Sequence, residues 1–384
     1  MNQTTLATKP HYPILDGLRG VAALMVVAFH IFETHATGRH DLIINHGYLA
    51  VDFFFLLSGF VIGYAYDDRW STMTVRDFFK RRLLRLQPMV VMGTIIGALF
   101  FYFQASASFP LISQTPVWKM LFVMLLGFLM LPITPAMDIR GWRETYPLNG
   151  PAWSLFFEFV VNIFYGIAFR KLSKKALVLL VFVSGVALLH FTVTSRHGDV
   201  IGGWTLEPHQ LRIGFTRVMF PFFAGLLLFR VARLRQVKHA FLWSSLLVVI
   251  VLAMPRIGGK ENVWMNGLYE SLSIMLVFPL IVYLGAGGEV TNSYAKKLCK
   301  FLGDISYPIY ITHYPLIYTY TAWVQGDKIP LREAYPVGIV VFLGAIVLAY
   351  VCLKFYDEPV RLWLKKKALS AKLQQGKDVP VVLK

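Results

Sequence analysis

Residues 15–33 read LDGLRGVAALMVVAFHIFE. As a helix rising about 1.5 Å per residue, this stretch is long enough to cross the roughly 30 Å apolar core of a bilayer. Yet Arg19 stands near one end, and His30 and Glu33 near the other. An ionisable side chain in hydrocarbon costs a few kcal/mol, so it normally faces protein or water. Arg19 and His30 are eleven residues apart. At about 100° per residue they share a face, about 16 Å apart along the axis. Glu33 follows His30 by three residues and can reach its ring. The segment reads as a transmembrane helix with a polar stripe, and it sets the fold class: an all-α polytopic membrane protein.

The rest of the chain agrees. Of 384 residues, 56% are hydrophobic and 15% charged, and mean hydropathy is +0.57. Apolar runs of spanning length fall near 15–33, 49–66, 87–104, 117–133, 152–169, 176–194, 213–229, 241–254, 266–285, 303–323 and 335–354. Pro116 and Pro132 bound the 117–133 run, which also carries Lys119. Charge tests its crossing. The loop at 67–86 holds six basic residues and belongs inside. If 117–133 does not cross, 25 of the 38 Lys and Arg lie inside, ten outside and three within spans. If it crosses, the later basic loops and the tail fall outside. The expected topology is therefore ten crossings with both termini inside and 117–133 as a re-entrant or surface helix. The expected division is a cytoplasmic N-terminus at 1–14, a transmembrane domain at 15–357 and a basic cytoplasmic tail at 358–384, read as a short amphipathic surface helix. The net charge of +17 is then a topology signal, not a nucleic-acid footprint. Arg19 and Gly20 interrupt any signal-peptide core, so the first helix reads as an uncleaved anchor. Cys299 and Cys352 have no metal-type spacing and are not expected to pair.

Other polar residues lie inside expected spans. Asp52 enters the second at about the depth of His30, and Ser58 and Gly59 follow near its middle. Gly permits close helix approach and Ser can bond across helices. FFKRRLLRLQP at 78–88 places Arg82 and Arg85 one turn apart, where guanidinium groups suit phosphate oxygens as well as lipid headgroups. Glu158 lies several residues into the bilayer in AWSLFFEF, 152–159. Tyr310 and His313 are one turn apart in SYPIYITHYP, 306–315. Arg140, Trp142, Trp204, His209, Arg212 and Arg217 are expected to shape an outer site or to anchor the chain at the interface. His, Glu and Arg at two depths suit two kinds of function. One is proton-coupled transport or export of a solute or glycan precursor. The other is acyl transfer across the membrane, in which arginines meet the phosphates of a CoA-like donor and a histidine takes a proton from a hydroxyl. A sensor or scaffold with a vestigial site is a third. Spacing alone does not choose.

A resemblance does. LDGLRGVAALMVVAFH with Arg19 and His30, VDFFFLLSGF at 51–60, Arg-x-x-Arg at 82–85, AWSLFFEF, SYPIYITHYP and the closing YDEPVRLW at 356–363 together resemble the membrane acyltransferase-3 family, in the family's order over nearly the whole chain. The resemblance implies ten core helices in a bacterial cytoplasmic (inner) membrane. It also implies transfer of acetyl or other short acyl groups from cytoplasmic acyl-CoA to a hydroxyl of a cell-surface carbohydrate or glycolipid. Catalysis falls to His30 with Glu158 in support. Arg19, Arg82 and Arg85 serve the donor, with Ser58 and Gly59 of the Ser-Gly-Phe signature beside them. Glu33 and Asp52 are added from spacing as partners of His30, and Asp52, Tyr310 and His313 as lining residues. No permanently bound cofactor or metal is expected. Some members carry an esterase-like domain after the last helix. This sequence ends too soon for one, so either a partner protein on the outer side or the helical unit itself would deliver the acyl group.

Overall fold

Pro13 opens the first helix, where its missing N–H leaves no hydrogen bond unmade. Asp16 in the first turn complements the positive end of the helix dipole. This helix, α1 (Pro13–Glu33), lies at the centre of the bundle and packs chiefly along α11 (Ser293–Thr312). The computed structural model describes Lys9 and residues 11–377; the remainder of both expected terminal segments lies outside the described residues. Among the described residues every regular element is helical, apart from two isolated bridges.

Next come α2 (Ala50–Tyr66) and α3 (Val75–Phe100), then the short α4 (Val117–Phe128) and α5 (Ala152–Ile167). The chain continues through α6 (Lys174–Thr194), α7 (Pro208–Val231) and α8 (Ala240–Ala253). A π turn joins α9 (Val263–Leu272) to α10 (Phe278–Gly287). After α11 come α12 (Tyr314–Gly326) and α13 (Leu331–Cys352), and a second π turn leads into α14 (Glu358–Lys377). Among the described residues seven helical units are long and apolar enough to cross a membrane; α4, α5 and α8 are shorter apolar helices. At 12 residues α4 is about 18 Å long, well short of the bilayer core.

Several boundaries differ from the sequence reading. The third helix begins at Val75, not near 87, because Thr74 and Asp77 form a reciprocal capping box ahead of the basic run. Arg82 and Arg85 therefore ride on a rigid helix. The expected span 303–323 is two helices meeting at His313, with Pro315 in the first turn of the second. The tail does not start as a separate element: the helix of α13 continues through the π turn into α14, so Leu331–Lys367 forms one unit.

α2 crosses α7 at close range. A Cβ on Gly59 would stand 2.0 Å from the Phe222 carbonyl oxygen, and one on Gly225 2.0 Å from that of Leu56. Gly59 is thus a packing residue at a backbone contact that no larger side chain fits. Arg217 of α7 and Asp52 of α2 reinforce that crossing as a buried ion pair at 2.7 Å.

Candidate active site

A cavity of about 1220 Å³ opens at the end of the bundle where α1, α11 and α14 bring their basic residues. Arg19, Arg82 and Arg85 all line it, as do Ser58, Glu158 and Tyr310. Two of the arginines of α3, Arg82 and Arg85, are unlike. Arg82 is buried and donates to Glu158 Oε1 at 2.7 Å, and Ser58 Oγ donates to the same oxygen at 2.8 Å. Its charge is already answered. Arg85 is exposed to the cavity, and no carboxylate stands within ion-pair reach of it among the described residues. Arg19 is held by Asp16, one turn earlier, at 3.0 Å. Asp16 escaped the sequence reading although the i,i+3 spacing to Arg19 was in view.

At its deep end the cavity reaches Phe54, Ser154 and Tyr310. Ser154 lies one turn before Glu158 on α5, and that spacing signals the shared face. Its hydroxyl donates to the Pro151 carbonyl at 3.0 Å and stands 2.7 Å from the Tyr310 hydroxyl.

His30 does not line this cavity. It lies beyond a layer of rings. Phe54 packs edge-on to Tyr310 at 5.4 Å, Tyr310 stands 6.2 Å from His313, and His313 stacks on His30 at 5.6 Å. Tyr314 closes on His30 from another side at 4.8 Å. The polar stripe of α1 is therefore real in sequence but interrupted in space. The His30 side chain is 18% exposed and packs against aromatic rings, not lipid alone. Its Nδ1 donates to Glu33 Oε2 at 2.7 Å. A carboxylate only accepts, so Nδ1 carries the hydrogen, and in the neutral ring the Nε2 lone pair is the one that can take a proton. His313 is fully buried, and its Nδ1 donates to the Ile309 carbonyl at 2.9 Å while Nε2 has no partner among the described residues.

The structure separates other residues from their expected places. Asp52 is not a partner of His30 and does not line the cavity; it is fully buried against Arg217. Arg217 also donates to the Tyr48 carbonyl at 2.7 Å, so it ties helices together and does not shape an open site. Arg140 likewise leaves the surface. It is fully buried, donates to Gln104 and to the Pro147 carbonyl, and lies 3.6 Å from the Tyr318 ring centroid. Burial draws its guanidinium below the usual value. Nearby Glu144 accepts from the Tyr318 hydroxyl, and burial lifts its carboxyl to about 7.

The sequence also missed a second polar cluster at the His30 end. His46, Asn266 and Tyr48 surround Glu270, which is fully buried and accepts from Tyr48, Asn266 and the Val200 N–H. Arg39 and Arg256 converge on Asp199 beside it. Both carboxylate oxygens of Glu270 are used, so the cluster fastens α9 to the neighbouring loops.

Comparison with known proteins agrees with this architecture. The chain is 35% identical to protein 2 in the picA locus of Rhizobium radiobacter over 187 residues, covering 46% of this chain and 92% of that protein. It is 24% identical to peptidoglycan O-acetyltransferase OatA of Listeria monocytogenes over 395 residues, covering 94% of this chain but 57% of OatA. No solved structure matches it. The family described as an acyltransferase domain (Acyl_transf_3) matches residues 12–354, and by that near-complete match this multi-helix membrane chain belongs to the acyltransferase-3 family.

Proposed function

We propose that this protein is a membrane O-acyltransferase. It takes an acetyl or other short acyl group from acyl-CoA at the basic end and passes it to a hydroxyl of a cell-surface carbohydrate at the His30 end. The carrying observation is the one-sided cavity: it opens among unanswered cations, leads inward past Ser58 and Glu158, and stops one layer of rings short of a histidine already oriented by a carboxylate. In this reading α1, α2, α3, α5 to α8, the α9–α10 and α11–α12 units and α13 make ten crossings. The excess of basic residues at that end supports a topology with both termini and the cavity mouth on the cytoplasmic side of a bacterial inner membrane.

Arg85 holds donor phosphate, because it is the guanidinium in the motif with a free fork. Arg19, Arg82, Glu158 and Ser58 form the polar wall along which the pantetheine arm extends. Transfer needs the Tyr310 and Phe54 rings to turn aside, which brings the thioester to His30. The acceptor hydroxyl attacks the carbonyl carbon, and His30 Nε2 takes its proton. As the C–S bond breaks, the imidazolium returns that proton to the leaving thiolate. Glu33 stabilises the imidazolium in between. OatA is named for O-acetylation of peptidoglycan; for this chain the acceptor class is carbohydrate, delivered directly or through a partner protein on the outer side.

Membranes carrying His30→Ala should lose transfer from radiolabelled acetyl-CoA by at least about 100-fold while still binding the donor. Retained transfer removes His30 from the chemistry. Mass spectrometry of surface glycans with and without the protein should show one lost acyl mass, and an unchanged glycan profile defeats the carbohydrate assignment.

A further inference from the structure

The loop between α4 and α5 is built around one buried carboxylate. Asp138 accepts from the backbone N–H groups of Arg140, Gly141 and Arg143 at 2.9, 3.0 and 2.8 Å. Gly141 and Arg143 both take positive φ, at 110° and 58°. A side chain in that region is strained, and the strain persists only where the surroundings enforce it. Between these two residues Trp142 projects, 38% exposed. Its place is fixed. The indole N–H donates to the Ser108 carbonyl at 2.9 Å, and the ring packs on Phe109 at 4.8 Å and on Tyr318 at 6.2 Å.

Two independent routes connect this exposed ring to His30. One runs through rings: Tyr318 packs edge-on to Tyr314 at 4.5 Å, and Tyr314 on His30 at 4.8 Å. The other runs through hydrogen bonds. Ser108 Oγ donates to Gln325 Oε1 at 2.7 Å, Gln325 Nε2 donates to the Thr34 carbonyl at 3.3 Å, and Thr34 Oγ1 donates to the His30 carbonyl at 3.1 Å. Together they tie both loops flanking α4 to α12 and to the end of α1. Fastening of the loop falls to Asp138 and Arg140, both buried, and an exposed indole adds little to it. Nor does the ring resemble an interfacial anchor, which turns its N–H toward headgroups and water. Here the N–H is turned into the protein and a ring face is left outside.

Resting on the O-acyltransferase reading above, we infer that Trp142 is the platform on which a sugar ring of the acceptor glycan stacks, so that a neighbouring hydroxyl is held toward His30. The C–H groups on one side of a pyranose pack against the negative face of an aromatic ring. Gln325 and Glu33 are exposed along the two routes and offer partners for sugar hydroxyls. An anionic ligand would call for free cations beside the ring. Arg143, the next residue, is already paired with Glu207 at 2.7 Å.

The test uses the full chain in nanodiscs with labelled acetyl-CoA. The acceptor is the surface glycan extracted from cells lacking the protein. Trp142→Leu should raise KM for the glycan about tenfold, with kcat within about twofold and acetyl-CoA affinity unchanged. Trp142→Phe also lacks the hydrogen bond to Ser108 but keeps a ring face, so its KM should rise less than about threefold. Equal rises in the two variants assign Trp142 to fastening the loop and overturn the platform, as does an unchanged KM in Trp142→Leu. If Trp142→Leu does not bind acetyl-CoA, Trp142→Met takes its place under the same criteria, and failure of both overturns the inference. A KM rise in nanodiscs that vanishes in detergent assigns the ring to membrane anchoring and overturns it too. If wild type transfers nothing to the glycan, the carbohydrate reading falls and the platform falls with it.

Discussion

Arg82 and Arg85 stand one turn apart in α3, and a motif reading gives them one role. Their surroundings give them two. Arg82 shares a carboxylate oxygen with Ser58 and is buried; Arg85 faces the cavity unanswered. A charge-assisted hydrogen bond contributes about 1.5–3 kcal/mol, so Arg85→Ala should weaken acetyl-CoA binding by about 10- to 100-fold. Its effect on stability should be small, or even favourable, since an uncompensated charge is removed. Arg82→Ala does the reverse. It leaves the Glu158 carboxylate in a largely protein-lined site with Ser58 as its remaining donor. Breaking a buried pair costs about 3–5 kcal/mol. Glu158 keeps 18% exposure to the cavity, so water recovers part of that and about 2–3 kcal/mol is expected. Donor affinity should fall less than about threefold. Replacing both partners, Arg82→Gln with Glu158→Gln, should regain most of the lost stability, because neither charge is then stranded. The assays are calorimetric acetyl-CoA binding and thermal unfolding of the protein in nanodiscs. Equal losses of affinity in Arg82→Ala and Arg85→Ala, with no drop in Tm for the former, would refute the division of labour.

Three further expectations follow from the same geometry. Glu33→Gln should lower kcat about tenfold or more at unchanged donor affinity, since the amide cannot stabilise the imidazolium; an unaltered kcat removes Glu33 from the site. Gly59→Ala should cost about 1–3 kcal/mol through overpacking against the Phe222 carbonyl, lowering Tm; a Tm equal to wild type would show that the α2–α7 crossing can part. The Glu144 carboxyl stands near 7, above its ordinary value of 4.5. A raised carboxyl contributes stability that is complete below the ordinary value and is lost as pH rises through about 7. That loss is on the order of 3 kcal/mol at most. Wild type should therefore lose more Tm than Glu144→Gln between pH 5 and pH 8, and parallel curves would contradict the assignment.

Much was legible from order along the chain. Apolar runs and the placing of Lys and Arg identified a polytopic helical membrane protein, and a helix of 12 residues, α4, lies between Pro116 and Pro132. The His30–Glu33 hydrogen bond was legible because i,i+3 neighbours on a helix meet whatever surrounds them. Equally local is the reach from Asp16 to Arg19, which was overlooked.

What the amino-acid order settled by itself is everything governed by helical period and by the cost of charge in hydrocarbon: the fold class, the helices and the residues that share a face. Partners between helices needed the tertiary structure. Depth along a helix does not say which way a neighbouring helix is turned, so Asp52 could be matched in depth to His30 and still belong to Arg217, 165 residues away. For the same reason Arg82 and Arg85 looked alike until α5 brought Glu158 to one of them. Only packing in three dimensions could place a layer of rings between the cavity and His30.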